Sequence, residues 1–249
     1  LRDFWNINEK MYLSNIVYLS LGNGGGTLLN TSVEASSGSD PGFITPEGQI
    51  DFQRYYNANV YPPFLMDTLY PREIYSFYYL KSQVNRHQWY GLLSTFNYNI
   101  NDKFTFSGGI DLRRYKGLHY EEIYDLLGGS YTLDPADKNR DPKQFLRTGD
   151  KISYNNDGLV QWEGVFTQLE YLSGNFTAFV NLTAAYSGYK KIDYFLPKTI
   201  QVDTTVLYIE YGKPVTYNGV TYDENSPGLE YQESDWYWKP GFTVKVGAN

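Results

Sequence analysis

Apolar and polar residues alternate along several stretches of about ten residues, and residues 104–114 give the clearest case. One set of alternate positions holds Phe104, Phe106, Gly108, Ile110 and Leu112, and the other holds Thr105, Ser107, Gly109, Asp111 and Arg113. A period of two residues indicates a β-strand with one apolar and one polar face. A strand of about ten residues with an apolar outer face is long enough to cross a bilayer at a tilt. The pattern therefore predicts strands of the outer-membrane β-barrel type.

Six such strands are predicted: residues 10–21, 89–100, 104–115, 160–172, 176–186 and 238–249. Short turns join the second strand to the third and the fourth to the fifth. Asn101-Asp102-Lys103 and Ser173-Gly174-Asn175 supply the chemistry of two of these turns. The pairs are separated by long polar stretches, which are predicted as loops at 22–88, 116–158 and 188–235. This order of connections is typical of bacterial barrels, with short periplasmic turns and long extracellular loops.

The predicted strands are too few to close a barrel, because the smallest single-chain outer-membrane barrels have about eight. An open sheet would leave two unpaired edges in lipid, where backbone groups must be satisfied. Residues 1–249 are therefore predicted to be all-β and to form an antiparallel segment of a transmembrane β-barrel domain, with the remaining strands and any plug outside it.

Composition supports this fold class and excludes several functions. Hydrophobic residues make up 41% of the chain, and no run of about eighteen of them is present to form a transmembrane helix. The 26 tyrosines would serve aromatic girdles, although a sugar-binding surface or a sandwich core would use them equally. The absence of cysteine excludes a disulfide framework and thiolate chemistry. The net charge of −7 disfavours nucleic-acid binding, which needs a basic surface.

Four stretches carry a resemblance to a known family: residues 5–14 running into 22–27, residues 89–129 with Phe106-Ser107-Gly108-Gly109-Ile110-Asp111, residues 158–195 with Ala184-Ala185-Tyr186, and residues 239–249. Together they resemble the barrel of TonB-dependent outer-membrane receptors, most closely the subgroup with a carboxypeptidase-regulatory-like N-terminal domain. The resemblance implies a bacterial outer-membrane location and a plugged barrel of about 22 strands. No stretch matches a plug, a coupling box or a closing strand, so the chain alone is not expected to transport.

The same resemblance implies the function and the partners. It implies active uptake of a nutrient of glycan, peptide or siderophore type, driven by the inner-membrane TonB complex through an N-terminal region that is missing here. The implied partners are this complex, the nutrient, the lipid bilayer with its lipopolysaccharide, and a surface lipoprotein. No cofactor is implied, and no residue is expected to perform covalent chemistry.

Aromatic residues in the long loops are the candidate ligand-binding residues: Tyr55, Tyr56, Tyr61, Tyr78, Tyr222 and Trp236. Aromatic rings stack on sugars or peptide side chains at low entropic cost. The same residues would equally fill the interior of large loops or form a belt at the outer leaflet. Asp111, Arg113 and Lys245 fall on the polar face of their strands, so they are predicted to face the lumen and to contact plug or substrate.

Other chemical motifs have weaker support. Gly22–Thr27 lacks the Gly-Lys-Ser/Thr ending of a phosphate loop. A group of oxygen-bearing side chains in one long loop could be considered for calcium binding: Asp134, Asp137, Asn139 and Asp141. Their spacing fits no EF-hand loop and basic residues lie between them, which favours a solvated, charged loop instead. The only histidines, His87 and His119, are far apart in sequence, so neither a shared metal nor a catalytic triad is expected.

Two alternatives belong to other classes of protein. The first is a soluble extracellular β-sandwich with a Tyr-rich face for carbohydrate binding or adhesion, in which the apolar strand faces would meet a second sheet. The second is a polysaccharide-degrading β-enzyme, which would need two facing carboxylates at a fixed separation, either Glu121 and Glu122 or Glu163 and Glu170.

Overall fold

A computed structural model describes residues 1–31, 43–61 and 73–249. Strands hold 67% of these described residues and helix 4%, which confirms the all-β prediction. In chain order the elements are β1 (Arg2–Asn8), β2 (Met11–Thr31), α1 (Phe52–Val60), β3 (Tyr78–Asn99), β4 (Phe104–Asp125), β5 (Lys151–Ser173), β6 (Phe176–Asp193), β7 (Lys198–Val202), β8 (Thr205–Ile209), β9 (Val215–Tyr217), β10 (Val220–Tyr222), β11 (Gln232–Glu233) and β12 (Tyr237–Ala248).

One antiparallel sheet dominates the structure, with strand order β1-β2-β3-β4-β5-β6-β12 and with β11 also paired to β6. Short turns join β3 to β4 and β5 to β6, as the alternation predicts, and a third short turn joins β1 to β2. Two small hairpins, β7–β8 and β9–β10, lie between β6 and β11. Within the described residues the strands do not close into a barrel, and β12 and the β1–β2 side form the two outer edges.

Two features of the sheet differ from the predictions. Strand β1 was not predicted, and it pairs with the start of β2 from Arg2 opposite Ile16 to Asn8 opposite Met11. The long strands also continue well into the segments predicted as loops, since β2 reaches Thr31, β3 begins at Tyr78 and β4 reaches Asp125. Both faces are polar or glycine-rich in many of these extensions, so the two-residue period weakens there while the backbone ladder continues.

The register assigns every strand residue to one of two faces, because directly opposed residues point the same way. The apolar face is defined by residues that include Val17, Leu19, Leu92, Ile110, Leu112, Val165, Val180, Leu182 and Val244. Several of these side chains are solvent-exposed, for example 53% for Val165 and 43% for Val180. In the described part of the chain no second sheet covers them, so the β-sandwich alternative gains no support.

Aromatic residues border the apolar face at both ends. Phe104, Tyr171 and Phe176 lie near the short turns, with ring centroids 4.9 Å apart for the first pair and 6.3 Å for the second. Tyr90, Tyr186 and Trp238 lie toward the long connections, and Tyr186 stacks on Trp238 at 4.7 Å. The apolar face is therefore a band with an aromatic border on each side.

The polar boundary of this band runs diagonally across the sheet. Leu21 is the last apolar residue of the band on β2, and it lies opposite Gln88 on β3. Tyr90, the last on β3, lies opposite Arg114, and Leu112, the last on β4, lies opposite Glu163. From β2 to β5 each strand thus ends its apolar run one row before the strand preceding it, whereas the run on β6 reaches Tyr186, opposite Glu163. A boundary of this kind is level only if the strands are tilted relative to it.

The buried core lies at the end of the sheet that carries the long connections. It contains Tyr79, Ile123, Leu126, Leu146 and Ile152. Helix α1 begins after Asp51, whose carboxylate accepts a hydrogen bond from the Arg54 N–H. We call α1 together with residues 73–77 and 126–150 the cap.

Helices are scarce in this protein. Across residues 1–31, 43–61 and 73–249, none has the length and apolar character that crossing a membrane requires.

Candidate ligand site on the polar face

A pocket of about 450 Å³ opens on the polar face of the sheet, and its walls come from three adjacent strands. Its lining residues are His87 and Trp89 from β3, Arg113 and Tyr115 from β4, and Val160 and Trp162 from β5. The register explains this grouping, because Trp89, Tyr115 and Val160 lie in one row across the strands. Gly91, Arg113 and Trp162 form the next row toward the short turns.

The aromatic rings of the pocket contact one another and a cation. Trp89 meets Tyr115 nearly edge to face, with ring centroids 5.6 Å apart and an interplanar angle of 73°. The His87 ring lies 6.4 Å from that of Tyr115. The guanidinium of Arg113 is 5.7 Å from the centre of the Trp162 ring, within the range of a cation–π contact. Trp89 Nε1 donates to the hydroxyl of Tyr18 at 3.3 Å.

Glycines on neighbouring strands let two of these side chains lie against the sheet. A Cβ atom on Gly91 would come within 2.6 Å of the Tyr18 hydroxyl and of a backbone carbonyl on β4. A Cβ atom on Gly22 would lie 2.0 Å from His87 Nε2. The rings therefore occupy the space that side chains would fill at these two positions. Each ring lies over a neighbouring strand.

The charge of Arg113 is compensated within the site. Its Nε donates to Asp111 Oδ1 at 2.9 Å, and a second guanidinium nitrogen donates to Oδ2 of the same carboxylate. Such a bidentate pair fixes the orientation of the guanidinium plane beneath the Trp162 ring. The pocket thus combines aromatic surface with polar groups and carries no net charge from this pair.

The three residues predicted to face the lumen do share the polar face. Asp111 and Arg113 are two residues apart on β4 and form the ion pair just described. Lys245 lies on β12 opposite Asn181, two strands beyond Trp162 on β5. The structure therefore brings two of the three into the pocket region and leaves Lys245 near the sheet edge.

The predicted loop aromatics do not line this pocket. Tyr55 is buried in the cap, where Phe43 stacks on it at 4.3 Å and Tyr78 meets it edge-on at 5.1 Å. Tyr56 and Tyr61, at the exposed side and end of α1, are 41% and 73% exposed. Tyr55 is thus buried inside the cap with the half-buried Tyr78 of β3 against it, while Tyr56 and Tyr61 remain available to a ligand.

The two remaining loop aromatics lie in other surroundings. Trp236 stacks on Trp238 at 5.5 Å, so it extends the aromatic border of the apolar band. Tyr222 lies in β10 of the small outer hairpin and is half-buried. The six predicted aromatics are thus distributed over the cap, the band border and the outer hairpin.

The sequence interpretation missed the aromatic residues on the strands themselves. Trp89, Tyr115 and Trp162 stand at alternate positions shared with polar residues, directly beyond the cleanest apolar runs. The signal that would have found them is parity, since all three lie within the predicted strands at positions of the polar face.

Comparison with known proteins does not identify a relative of this chain, so the function is inferred from the structure itself. No family model matches the chain. No curated protein and no solved structure matches it either.

The acidic loop group near residue 134 is occupied by backbone contacts. Asp134 accepts hydrogen bonds from the N–H groups of Ala136 and Ser153, and Asp141 accepts one from Lys143. Asn139 joins two long connections, because its side chain donates to the Tyr194 and Leu196 carbonyls. Among the residues that the structure describes, no cluster of three or more potential metal ligands occurs.

The histidines are close in space although they are distant in sequence. His87 lies opposite Gly117, and His119 lies opposite Asn85 in the adjacent row of the same polar face. His119 Nδ1 is 2.6 Å from Asn85 Oδ1. His87 lines the pocket, and His119 lies just beyond it.

The carboxylates suggested for glycoside hydrolysis do not face each other. Glu163 lies on the apolar-face side of β5 and binds Arg114 at 3.1 Å, whereas Glu170 lies on the polar face near the turn. Glu121 and Glu122 are adjacent on β4 and point to opposite faces. Neither pair has the geometry that the reaction needs.

Buried ionic contacts fix the strand extensions beyond the band. Asp157 is 3% exposed and accepts hydrogen bonds from Lys116 Nζ at 2.7 Å and from the Tyr194 hydroxyl at 2.8 Å. Burial and this carboxylate raise the pKa of Tyr194 to about 12. Burial alone would raise the pKa of Glu121, but hydrogen bonds led by those of Lys81 and Gln83 outweigh it and lower the pKa.

Proposed function

We propose that this sheet is part of the wall of a bacterial outer-membrane β-barrel, in a TonB-dependent receptor that takes up a nutrient. The observation that carries the proposal is the exposed apolar band with an aromatic border on each side. Outer-membrane barrels present such a band to lipid and place polar residues in the interior. In this interpretation the short turns are periplasmic, and the cap and outer hairpins are extracellular.

The height of the band supports the proposal. The run from Phe176 to Tyr186 on β6 spans about 33 Å along the strand at the usual rise per residue. At a strand tilt of about 40° this corresponds to about 25 Å along the membrane normal, which matches the apolar band of known barrels. From Leu21 on β2 to Tyr186 on β6 the boundary shifts by about 13 Å along the strands over about 19 Å across them, so it is level in the membrane at a tilt of about 35°.

Polar groups within the band have partners, as a lipid-facing surface requires. Ser94 and Asn15 lie directly opposite each other, and the Ser94 hydroxyl donates to Asn15 Oδ1 at 2.6 Å. The backbone edges of the sheet must also be paired in lipid. The complete barrel therefore includes strands that pair with these two edges, for a total of about 22 in the family that the sequence resembles.

The ligand that best fits the pocket is a neutral glycan. Its aromatic surfaces suit the apolar faces of sugar rings, and the Arg113–Asp111 pair and the Tyr115 hydroxyl suit their hydroxyl groups. A charged ligand gains little there because the guanidinium is already neutralised. Uptake would be powered by the TonB complex, and the extracellular cap would contact the nutrient or a surface lipoprotein.

An arginine scan of alternate β6 positions tests the membrane assignment. Val180→Arg and Leu182→Arg place a charge on the apolar face, and Asn181→Arg and Thr183→Arg are matched controls on the polar face. We expect each apolar-face variant to lose about 2–4 kcal/mol of stability in lipid vesicles, and each control much less. Denaturant unfolding in vesicles measures this difference. A full chain that is monomeric and monodisperse without detergent would contradict the assignment.

The ligand assignment has a separate test. We expect Trp162→Leu to weaken binding of neutral glucose, xylose or mannose oligosaccharides about tenfold in isothermal titration. Trp238→Leu is the matched control, because Trp238 lies on the opposite face of the sheet. Binding that is confined to charged ligands, or that is insensitive to Trp162, would refute a glycan site here.

A further inference from the structure

The aromatic surface of the polar face does not end at the pocket. The pocket row of Trp89, Tyr115 and Val160 crosses β3, β4 and β5. Val160 lies opposite Tyr189 on β6, and Tyr189 lies opposite Tyr237 on β12. Directly opposed residues point to the same face, so both tyrosines belong to the polar face. We call these two residues the tyrosine pair; with them, the row carries aromatic rings on four of its five strands.

The row is about twice as long as the pocket. Neighbouring strands lie about 4.8 Å apart, so the two intervals from β3 to β5 span about 10 Å and the four intervals from β3 to β12 span about 19 Å. The strands that carry the tyrosine pair follow β5 directly in the sheet. A ligand that fills the pocket and continues along the row therefore reaches the tyrosine pair while it stays on the same surface.

The tyrosine pair is open to a ligand. Tyr189 is 43% exposed and Tyr237 is 66% exposed. Their ring centroids are 6.4 Å apart, with an interplanar angle of 33° between the rings. In the part of the chain that the structure describes, neither hydroxyl group has a hydrogen-bond partner. Both the rings and the hydroxyl groups are therefore available to an external molecule.

Polar groups and open space flank the tyrosine pair. Toward the short turns, the next row holds Ser187 and Lys239. Toward the long connections, Lys191 forms an ion pair with Asp193 at 3.0 Å. A Cβ atom on Gly158, which lies opposite Lys191, would meet nothing within 4 Å, so the surface there is open. This combination suits a sugar, because its ring faces pack on aromatic groups while its hydroxyl groups need hydrogen-bond partners.

We propose that Tyr189 and Tyr237 form a second subsite, which binds the continuation of a neutral oligosaccharide held in the pocket. The ligand is then a chain longer than the pocket accommodates, and it lies across the strands. Two weak subsites that are occupied by one linked ligand give a higher affinity than either subsite alone. The inference rests on the proposed function, since the second subsite adds affinity only if the pocket holds a glycan.

The dependence of binding on oligosaccharide length tests the second subsite. The probes are a disaccharide and a hexasaccharide of one linkage, from the glucose, xylose or mannose series that binds the pocket, titrated against the full chain in detergent micelles. We expect the hexasaccharide to bind about tenfold more tightly than the disaccharide in isothermal titration. Tyr189→Thr and Tyr237→Thr should each weaken hexasaccharide binding about three- to tenfold and leave disaccharide binding within about twofold of the parent. Unchanged disaccharide binding also reports that the variants are folded.

Two further variants calibrate this measurement. Tyr186→Thr is the matched control, because Tyr186 is an exposed tyrosine of β6 on the opposite face of the sheet, and it should change binding of neither probe. Trp162→Leu, in the pocket itself, should weaken binding of both probes. A longer chain also binds in more registers, but this raises the affinity of parent and variants alike. The ratio of parent to variant affinity therefore isolates the contribution of the tyrosine pair.

The outcomes separate this inference from the proposed function. If the parent protein binds the hexasaccharide no more tightly than the disaccharide, the second subsite is refuted and the glycan pocket stands. Equal weakening of both probes by Tyr189→Thr and Tyr237→Thr also refutes it, because that pattern indicates a structural role. A loss of the same size in Tyr186→Thr refutes it as well. If neither probe binds the parent protein, the glycan assignment of the proposed function itself fails.

Discussion

Asn59 offers a stringent test of how the cap is attached to the sheet. It is 1% exposed, and its amide joins α1 to the start of β3 and the end of β4. Nδ2 donates to the carbonyls of Tyr78, Leu126 and Leu127 at 2.7, 3.2 and 3.0 Å. Oδ1 accepts from the N–H groups of Phe77 and Tyr78, both at 3.1 Å. The two N–H groups of the amide, one of them shared between two carbonyls, and its oxygen thus contact five backbone groups.

Truncation of this side chain should release α1. Asn59→Ala removes this partner from the N–H groups of Phe77 and Tyr78 and from the carbonyls of Tyr78 and Leu127 in a buried site, whereas the Leu126 carbonyl still accepts from the Ser76 hydroxyl. Each buried group left unsatisfied costs about 1–3 kcal/mol, and relaxation or water recovers part of it, so we expect a loss of about 3–5 kcal/mol. This corresponds to about 150- to 5,000-fold faster amide exchange by local opening. Hydrogen exchange with mass spectrometry on peptides covering 52–60 and 73–80 measures it.

Two further variants calibrate the Asn59 experiment. Gln53→Ala removes an exposed hydrogen bond to Asn57 Oδ1 within the same helix. It should change the free energy of local opening, as derived from the exchange rates, by less than about 0.5 kcal/mol. Asn59→Asp keeps the two acceptor contacts and loses the three donor contacts, so its loss should be at least as large as that of alanine. If Asn59→Ala leaves the exchange of both peptides within threefold of the parent, the reasoning is refuted.

Two further predictions concern the sheet. The pKa of Glu121 is lowered in the fold, so its contribution to stability is present above the unfolded value of about 4.3 and is lost as the pH falls through the lowered value. Glu121→Gln should therefore melt at a lower temperature than the parent protein at neutral pH, and this difference should shrink below about pH 4. Gly109→Ala would place a Cβ atom 2.1 Å from the Ser94 carbonyl oxygen and should cost about 1–3 kcal/mol in denaturant unfolding. Gly158→Ala, whose Cβ would meet nothing within 4 Å, is its control, and equal losses would contradict the packing argument.

The sequence predicts the fold best where one face of a strand is apolar. Residues 104–112 and 176–186 alternate cleanly, and both lie in long strands with the expected short turns. The signal fails beyond the band. Residues 22–31 and 116–125 pair with β3, apart from a β-bulge at Tyr124, although their two faces do not differ consistently in polarity. A backbone ladder does not need amphipathic side chains, so these extensions are visible only in three dimensions.

The candidate site illustrates a second limit of sequence reasoning. Tyr55 and Tyr61 are the same residue type on the same helical segment, yet one is buried against Phe43 and the other is largely exposed. Their roles differ because of packing that composition does not encode. Trp89 and Trp162, by contrast, were within reach of the sequence, since parity alone assigns them to the face that carries Asp111.

The glycines beneath the aromatic side chains have a consequence for what can pass along the polar face. The Tyr18 hydroxyl reaches over Gly91, and His87 lies over Gly22, so neither ring projects at full length from its strand. If the polar face lines a channel, this arrangement widens the clearance for cargo at the level where aromatic contact is strongest. Larger residues at these glycines would push the rings inward and act as a size filter, so transport selectivity would be set in part by positions that never touch the cargo.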